Sequence, residues 1–137
     1  MFTYKRTIFL RETDSTGVLF FSEQFNICLE AFEAFFQSQG LHLHEMIEMG
    51  KIFLPIVHAE GDYSAPLSAG DRVEVRLRVG KLGTTSFTLD FQIVKEGLEE
   101  EVGKAQIVHV VIARDGKGAI PIPDDLQLLL SFLKEHR

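Results

Sequence analysis

The chain has 137 residues, 45% of them apolar and 25% charged, which is the balance of a folded globular domain and excludes a disordered segment. A formal charge of −6 argues against a nucleic-acid backbone or an anionic bilayer as principal partner. No run approaches the roughly 18 uninterrupted apolar residues of a membrane span. The single cysteine, Cys28, rules out an internal disulfide, and the start Met1-Phe2-Thr3-Tyr4-Lys5-Arg6 lacks the apolar core of a secretory signal, so the cytoplasm is the expected compartment. Twelve phenylalanines beside two tyrosines and no tryptophan point to a dry core or a dry pocket, since phenylalanine brings no polar handle.

In chain order, Tyr4 to Leu10 alternates as a first strand and is followed by a turn-like Thr13-Asp14-Ser15-Thr16-Gly17. The period then changes. Phe25, Cys28, Leu29, Phe32 and Phe36 fall at helical spacing, with Glu23, Asn26, Glu30, Glu33 and Gln37 opposite. This predicts one long hydrophobic helix from Ser22 to Gln39, with Ser22 as N-cap and Gly40 as stop. After a turn near Gly50, the segment from Ile52 to Tyr63 reads as extended, with Pro55 suited to a strand start or edge. Arg72 to Val79 alternates cleanly, Gly80 to Thr84 turns, and Phe87, Leu89, Phe91 and Ile93 continue as a meander. Val102 to Arg114 is apolar on both faces, as in a strand buried twice or lying at an interface. Leu126, Leu129, Leu130 and Leu133 follow Pro121 and Pro123 at helical spacing and predict a short C-terminal helix. The expected class is α+β, one domain over residues 1–137, with a five-stranded antiparallel sheet curved around one long helix.

The loop between the first strand and the long helix is the natural place for chemistry. A helix N-terminus offers unpaired N–H groups and partial positive charge, which can hold the oxygen of a carbonyl as it becomes an oxyanion. Such a donor is worth roughly 3–4 kcal/mol in comparable sites. Asp14 lies upstream by about one loop and admits two readings: a turn residue, or a carboxylate that attacks the carbonyl or deprotonates a water.

The run Thr13-Asp14-Ser15-Thr16-Gly17-Val18-Leu19-Phe20-Phe21 resembles the 4-hydroxybenzoyl-CoA thioesterase-like branch of the hot-dog superfamily, which shows Thr-Asp-x-x-Gly-Val-Val-Tyr-Phe and then a helix. Pro55-Ile56-Val57-His58-Ala59, Asp62-Tyr63, Pro66-Leu67 and Gly70-Asp71 extend the likeness in order. With Ile27-Cys28-Leu29-Glu30-Ala31-Phe32-Glu33, the pattern is similar to the 1,4-dihydroxy-2-naphthoyl-CoA hydrolases of that branch. The resemblance implies a hot-dog fold and hydrolysis of an acyl-CoA thioester, with an aromatic acyl group held among Phe20, Phe21 and Phe25. It also implies Asp14 as nucleophile or general base, the Phe21 amide as carbonyl donor and Gly17 as the turn that aims both. Further implications are a homodimer or homotetramer with active sites at the subunit interface, and no metal or redox cofactor, coenzyme A being part of the substrate. Two features depart from the branch. Glu23-Gln24 stand where it often has Asn-Tyr, and Gly83-Thr84-Thr85-Ser86, with Lys81 nearby, stands where relatives carry basic residues. Phosphate binding would then rest on hydroxyls such as Thr85 and Ser86, on backbone amides and on a neighbouring subunit.

Other signals have two readings each. His58 is a hydrogen-bonded strand histidine or a polar contact for substrate, and Glu30 is a solvated or interface residue or a water-orienting one. His109 reads as a satisfied core or interface residue and Cys28 as core filler. His42-x-His44-Glu45 lacks a third ligand at a useful spacing. A helix-borne histidine, which a hot-dog dehydratase would need, is missing from the long helix. A thioesterase for aliphatic acyl-CoA or acyl-carrier-protein esters, and a non-catalytic acyl-CoA-binding module, share the same outline.

Overall fold

The computed structural model describes residues 1–134. Alternating apolar residues lay down five antiparallel strands: β1 (Phe2–Thr7), β3 (Ile56–Tyr63), β4 (Arg72–Leu82), β5 (Ser86–Lys95) and β6 (Glu101–Val110). Their spatial order is β1-β4-β5-β6-β3, which leaves β1 and β3 as edges. A two-stranded ladder pairs β2 (Ile52–Phe53) with β7 (Ile112–Ala113). Helix α1 (Glu23–Ser38) lies across the inner face, with α2 (Leu43–Met49) and α3 (Asp124–Ser131) outside the sheet. This is the α+β arrangement expected, and α2 is the one helix that the periodicity did not announce.

The core is made where α1 meets the sheet. Ile27, Cys28, Ala31, Phe32, Phe35 and Phe36 are buried against Val73, Val75, Leu77, Leu89, Phe91 and Ile107. The buried stripe is wider than the predicted one and is rotated from it: Phe25 and Leu29 are half-buried, while Ile27, Ala31 and Phe35 sit fully inside. A curved sheet covers more than one side of a helix, so residues flanking the predicted stripe are enclosed as well.

Strand ends differ from the alternation, each for a local reason. The first strand stops at Thr7, and Leu10–Glu12 form a short 3-10 turn. There the Glu12 carboxylate accepts the Phe9 N–H at 2.8 Å and pairs with Arg6, drawing the chain out of the sheet. The extended segment from Ile52 breaks at Leu54-Pro55 into β2 and β3, since proline has no N–H for the ladder. β4 runs on past Gly80 to Leu82 through a bulge. A Cβ at Gly80 would stand 2.3 Å from Oδ2 of Asp90, so a side chain there would have to push that carboxylate aside.

Along β6, Val102, Ala105, Ile107 and His109 face α1 and are buried, while Val108 and Val110 on the outer face are half-buried. β3 is exposed at seven of its eight positions.

Candidate active site

Between β1 and α1 the chain makes a tight turn with Asp14 at its head. The Asp14 N–H donates to Val18 O at 2.9 Å, and Gly17 N–H donates to Asp14 O at 3.0 Å. Gly17 has φ +80°, a conformation that side-chain-bearing residues reach only under strain. Oδ1 of Asp14 accepts the Thr16 N–H at 2.8 Å and the Thr16 hydroxyl at 2.5 Å. These bonds, the hydroxyl first, hold the Asp14 carboxyl below its ordinary value. One oxygen is therefore tied down, and Oδ2 accepts no hydrogen bond from any described residue.

The turn is fixed to the rest of the protein by a buried ion pair. Arg6 on β1 and Glu12, 8% and 4% exposed, bond to one another, and Arg6 reaches Glu30 of α1 at 3.2 Å. Tyr4 donates to the same Glu30 carboxylate at 2.7 Å, and burial with that contact pushes its hydroxyl up to about 12. Strand, turn and helix are thus held in one relative position two residues before Asp14. Glu30 emerges as the middle of this network.

At the start of α1, Phe20 N–H donates to Glu12 O and Glu23 N–H to Phe20 O, each at 2.9 Å. The N–H groups of Phe21 and Ser22 between them have no acceptor among the described residues. Tyr63, at the end of β3, donates its hydroxyl to the carbonyl of Phe21 and so orients the peptide that follows. Burial raises the Tyr63 hydroxyl above its ordinary value, which keeps it a donor.

Asp14, Phe20, Phe21, Gln24, Tyr63, and Val102 together line a cavity of about 430 Å³, closed further by Pro66 and Leu67. The structure thus brings Asp14, Gly17, Phe20 and Phe21 to one place. Phe25 lies outside that lining, with its ring tip against Gly61. His58 lies on the outer face of β3, bonded to Glu60 at 3.1 Å. Thr85 and Ser86 are at the far end of the sheet. Ser86 pairs with Val110 of β6 and Tyr63 with Gly103, seven residues away. That is about 23 Å at roughly 3.3 Å per residue.

Gln24 is the residue the sequence concealed. Its side chain is only 2% exposed, and its Nε2 donates to Asp62 O at 3.3 Å and Lys104 O at 3.0 Å. It fits because two facing strands are bare there: a Cβ at Gly61 would stand 3.1 Å from Nε2, and one at Gly103 only 2.3 Å from Oε1. A glutamine in the first turn of a helix carries no signal of this. The fit exists only once β3 and β6 are side by side. Among the described residues, no group of three or more His, Cys, Asp or Glu side chains is arranged to hold a metal ion. No described helix is long and apolar enough to cross a membrane.

Against known proteins, the family model described as the thioesterase-like superfamily matches residues 8–130. A 1,4-dihydroxy-2-naphthoyl-CoA hydrolase of Synechocystis is 35% identical over 132 residues, 96% of each chain. One of Synechococcus elongatus is 34% identical over 127 residues, 92% of each. The crystal structure of a 1,4-dihydroxy-2-naphthoyl-CoA thioesterase from Synechocystis superposes with a TM-score of 0.89 at 33% identity, covering 98% of both chains.

Proposed function

The chain belongs to the thioesterase-like superfamily, and from that membership we propose that it hydrolyses an aromatic acyl-CoA thioester, with 1,4-dihydroxy-2-naphthoyl-CoA as the substrate. The observation that carries this reading is the shared cavity: a carboxylate with one free oxygen and unpaired N–H groups at a helix start line the same space. With the thioester carbonyl oxygen on the Phe21 N–H, the carbonyl carbon becomes more electrophilic and the developing oxyanion is met by a fixed donor. Asp14, held as an anion, either attacks that carbon or takes a proton from a water that does. Both routes expel the coenzyme A thiolate, and the anhydride formed by direct attack is then hydrolysed by water, which frees the acid and restores the Asp14 carboxylate. Phe20 and Phe21, with ring centroids 4.8 Å apart, supply the apolar wall for an aryl group.

The site is completed by a second copy of the chain. β3 ends one side of the sheet with its backbone edge free among the described residues, and Ile56, Val57 and Tyr63 on it are exposed apolar or aromatic side chains. Antiparallel pairing of two such edges sets the Ile56 end of one against the Tyr63 end of the other. Because Thr85 and Ser86 lie at the Ile56 end, the partner's hydroxyls then arrive beside the Asp14 cavity. That supports a dimer with shared sites, and Thr85 and Ser86 as contacts for coenzyme A across the interface. A cytoplasmic setting fits the buried, unpaired Cys28.

The test is a panel of coenzyme A esters: 1,4-dihydroxy-2-naphthoyl, benzoyl and short aliphatic acyl. The expected result is highest kcat/KM on the naphthoyl ester, with kcat at least about a hundredfold lower in Asp14→Asn and unfolding unchanged. Full activity in that variant would end the assignment.

A further inference from the structure

Resting on the naphthoyl-ester reading above, we infer that Gln24 is a specificity residue whose Oε1 accepts a hydrogen bond from a hydroxyl on the acyl ring. Its carboxamide has one acceptor end and one donor end, and Nε2 stands against two carbonyl oxygens, Asp62 O and Lys104 O. Only the NH₂ group can face two acceptors, so the orientation is dictated by its partners. The acceptor end then has to point the other way.

Oε1 finds no donor among the described residues. Nor is it sealed in the interior: the one buried side-chain polar atom left without a partner there is His109 Nε2. Since Gln24 lines the cavity with Asp14, Phe21, Tyr63 and Val102, the open acceptor belongs to the space that receives the acyl group. Two glycines on adjacent strands make room for the group, and a methyl at Gly103 would occupy its place, 2.3 Å from Oε1. A carboxamide on a residue only 2% exposed, fixed by two bonds through Nε2 and left without a donor at Oε1, is a built half of a hydrogen bond.

The substrate supplies the other half. In a 1,4-dihydroxy-2-naphthoyl group the 1-hydroxyl proton is taken up by the neighbouring thioester carbonyl. The 4-hydroxyl, remote from that carbonyl, is the free donor. A site that carries an unpaired acceptor penalises a ring lacking this hydroxyl, because the acceptor is then desolvated for nothing.

The experiment compares kcat/KM on 1,4-dihydroxy-2-naphthoyl-CoA and 1-hydroxy-2-naphthoyl-CoA, two esters that differ only in that hydroxyl. The wild-type chain is expected to prefer the dihydroxy ester by several-fold to about tenfold. In Gln24→Met the ratio falls toward one, through KM as well as kcat, and Gly103→Ala, which displaces Oε1 without removing it, moves the ratio the same way. A purely structural role would lower both esters together and leave the ratio where it was. Equal wild-type rates, or a preference retained in both variants, overturns the inference while leaving the thioesterase reading intact. Hydrolysis of neither ester by the wild type would overturn both.

Discussion

At the position of Asp14, two jobs are done by one side chain. Oδ1 closes the turn through Thr16, and under the mechanism proposed above Oδ2 is the oxygen that meets the substrate. The hydrogen bonds to Oδ1 stabilise the anion, so the carboxyl stays ionised well into the acid range, and the rate it supports is lost only as pH falls through the lowered value. Removing the largest contributor should move that value up. In Thr16→Val, a ¹³C titration of the Asp14 carboxyl is expected to shift upward toward the ordinary aspartate value of about 3.9, and the acid limb of kcat/KM should follow it. An unmoved titration would mean that the Thr16 hydroxyl does not hold Oδ1 in solution. The turn motif was visible in the residues; the division of labour between the two oxygens was not.

Among the elements, β6 carries an unusual group into the core. His109 is 5% exposed, stacked at 5.1 Å on Phe87 of β5 and at 5.7 Å on Phe32 of α1. Nδ1 donates to Leu54 O at 3.0 Å, while Nε2 is buried with no partner. A neutral ring tolerates this, since a bare lone pair is all that is stranded. Protonation would strand an N–H and a charge between two phenyl rings. Burial accordingly holds the His109 pKa below its ordinary value. The unfolded chain then binds the proton more readily than the folded one, so stability should fall as pH drops below about 6.5. In His109→Phe, the decline of Tm between pH 7 and 5 is expected to be shallower than in the wild type. A parallel decline would show that this ring contributes nothing to acid sensitivity.

For the whole molecule, the decisive feature is the free edge of β3. An eight-residue strand exposed at nearly every position is a template for pairing, and monomeric proteins usually blunt such edges with lysine, proline or a covering loop. Here the strand carries no lysine, and Ile56, Val57 and Ala59 leave the first half of its edge largely apolar. A lysine near the start of the strand should prevent two edges from meeting. Val57→Lys is expected to halve the mass measured by analytical ultracentrifugation and to lower activity at least about tenfold, since each site would lose its partner's share. A monomeric variant that keeps full activity would place the entire site within one chain.

The sequence alone determined the α+β class, the single long helix, the meander of strands and the turn that carries Asp14. All of these rest on local periods and turn chemistry, which neighbouring residues settle among themselves. The family likeness likewise lay in a short ordered run of residues. What only the tertiary structure decided is everything that depends on elements distant in the chain. The width of the buried stripe on α1 was set by sheet curvature, and Leu10 left its strand because Glu12 met Arg6. Phe25 fell outside the lining that Phe20 and Phe21 share, with its ring tip against Gly61. Gln24 acquired its place from two glycines 42 residues apart, Gly61 and Gly103, which become neighbours only when β3 and β6 pair. A helix position announces its own periodicity, but the identity of what it will touch is a property of the sheet.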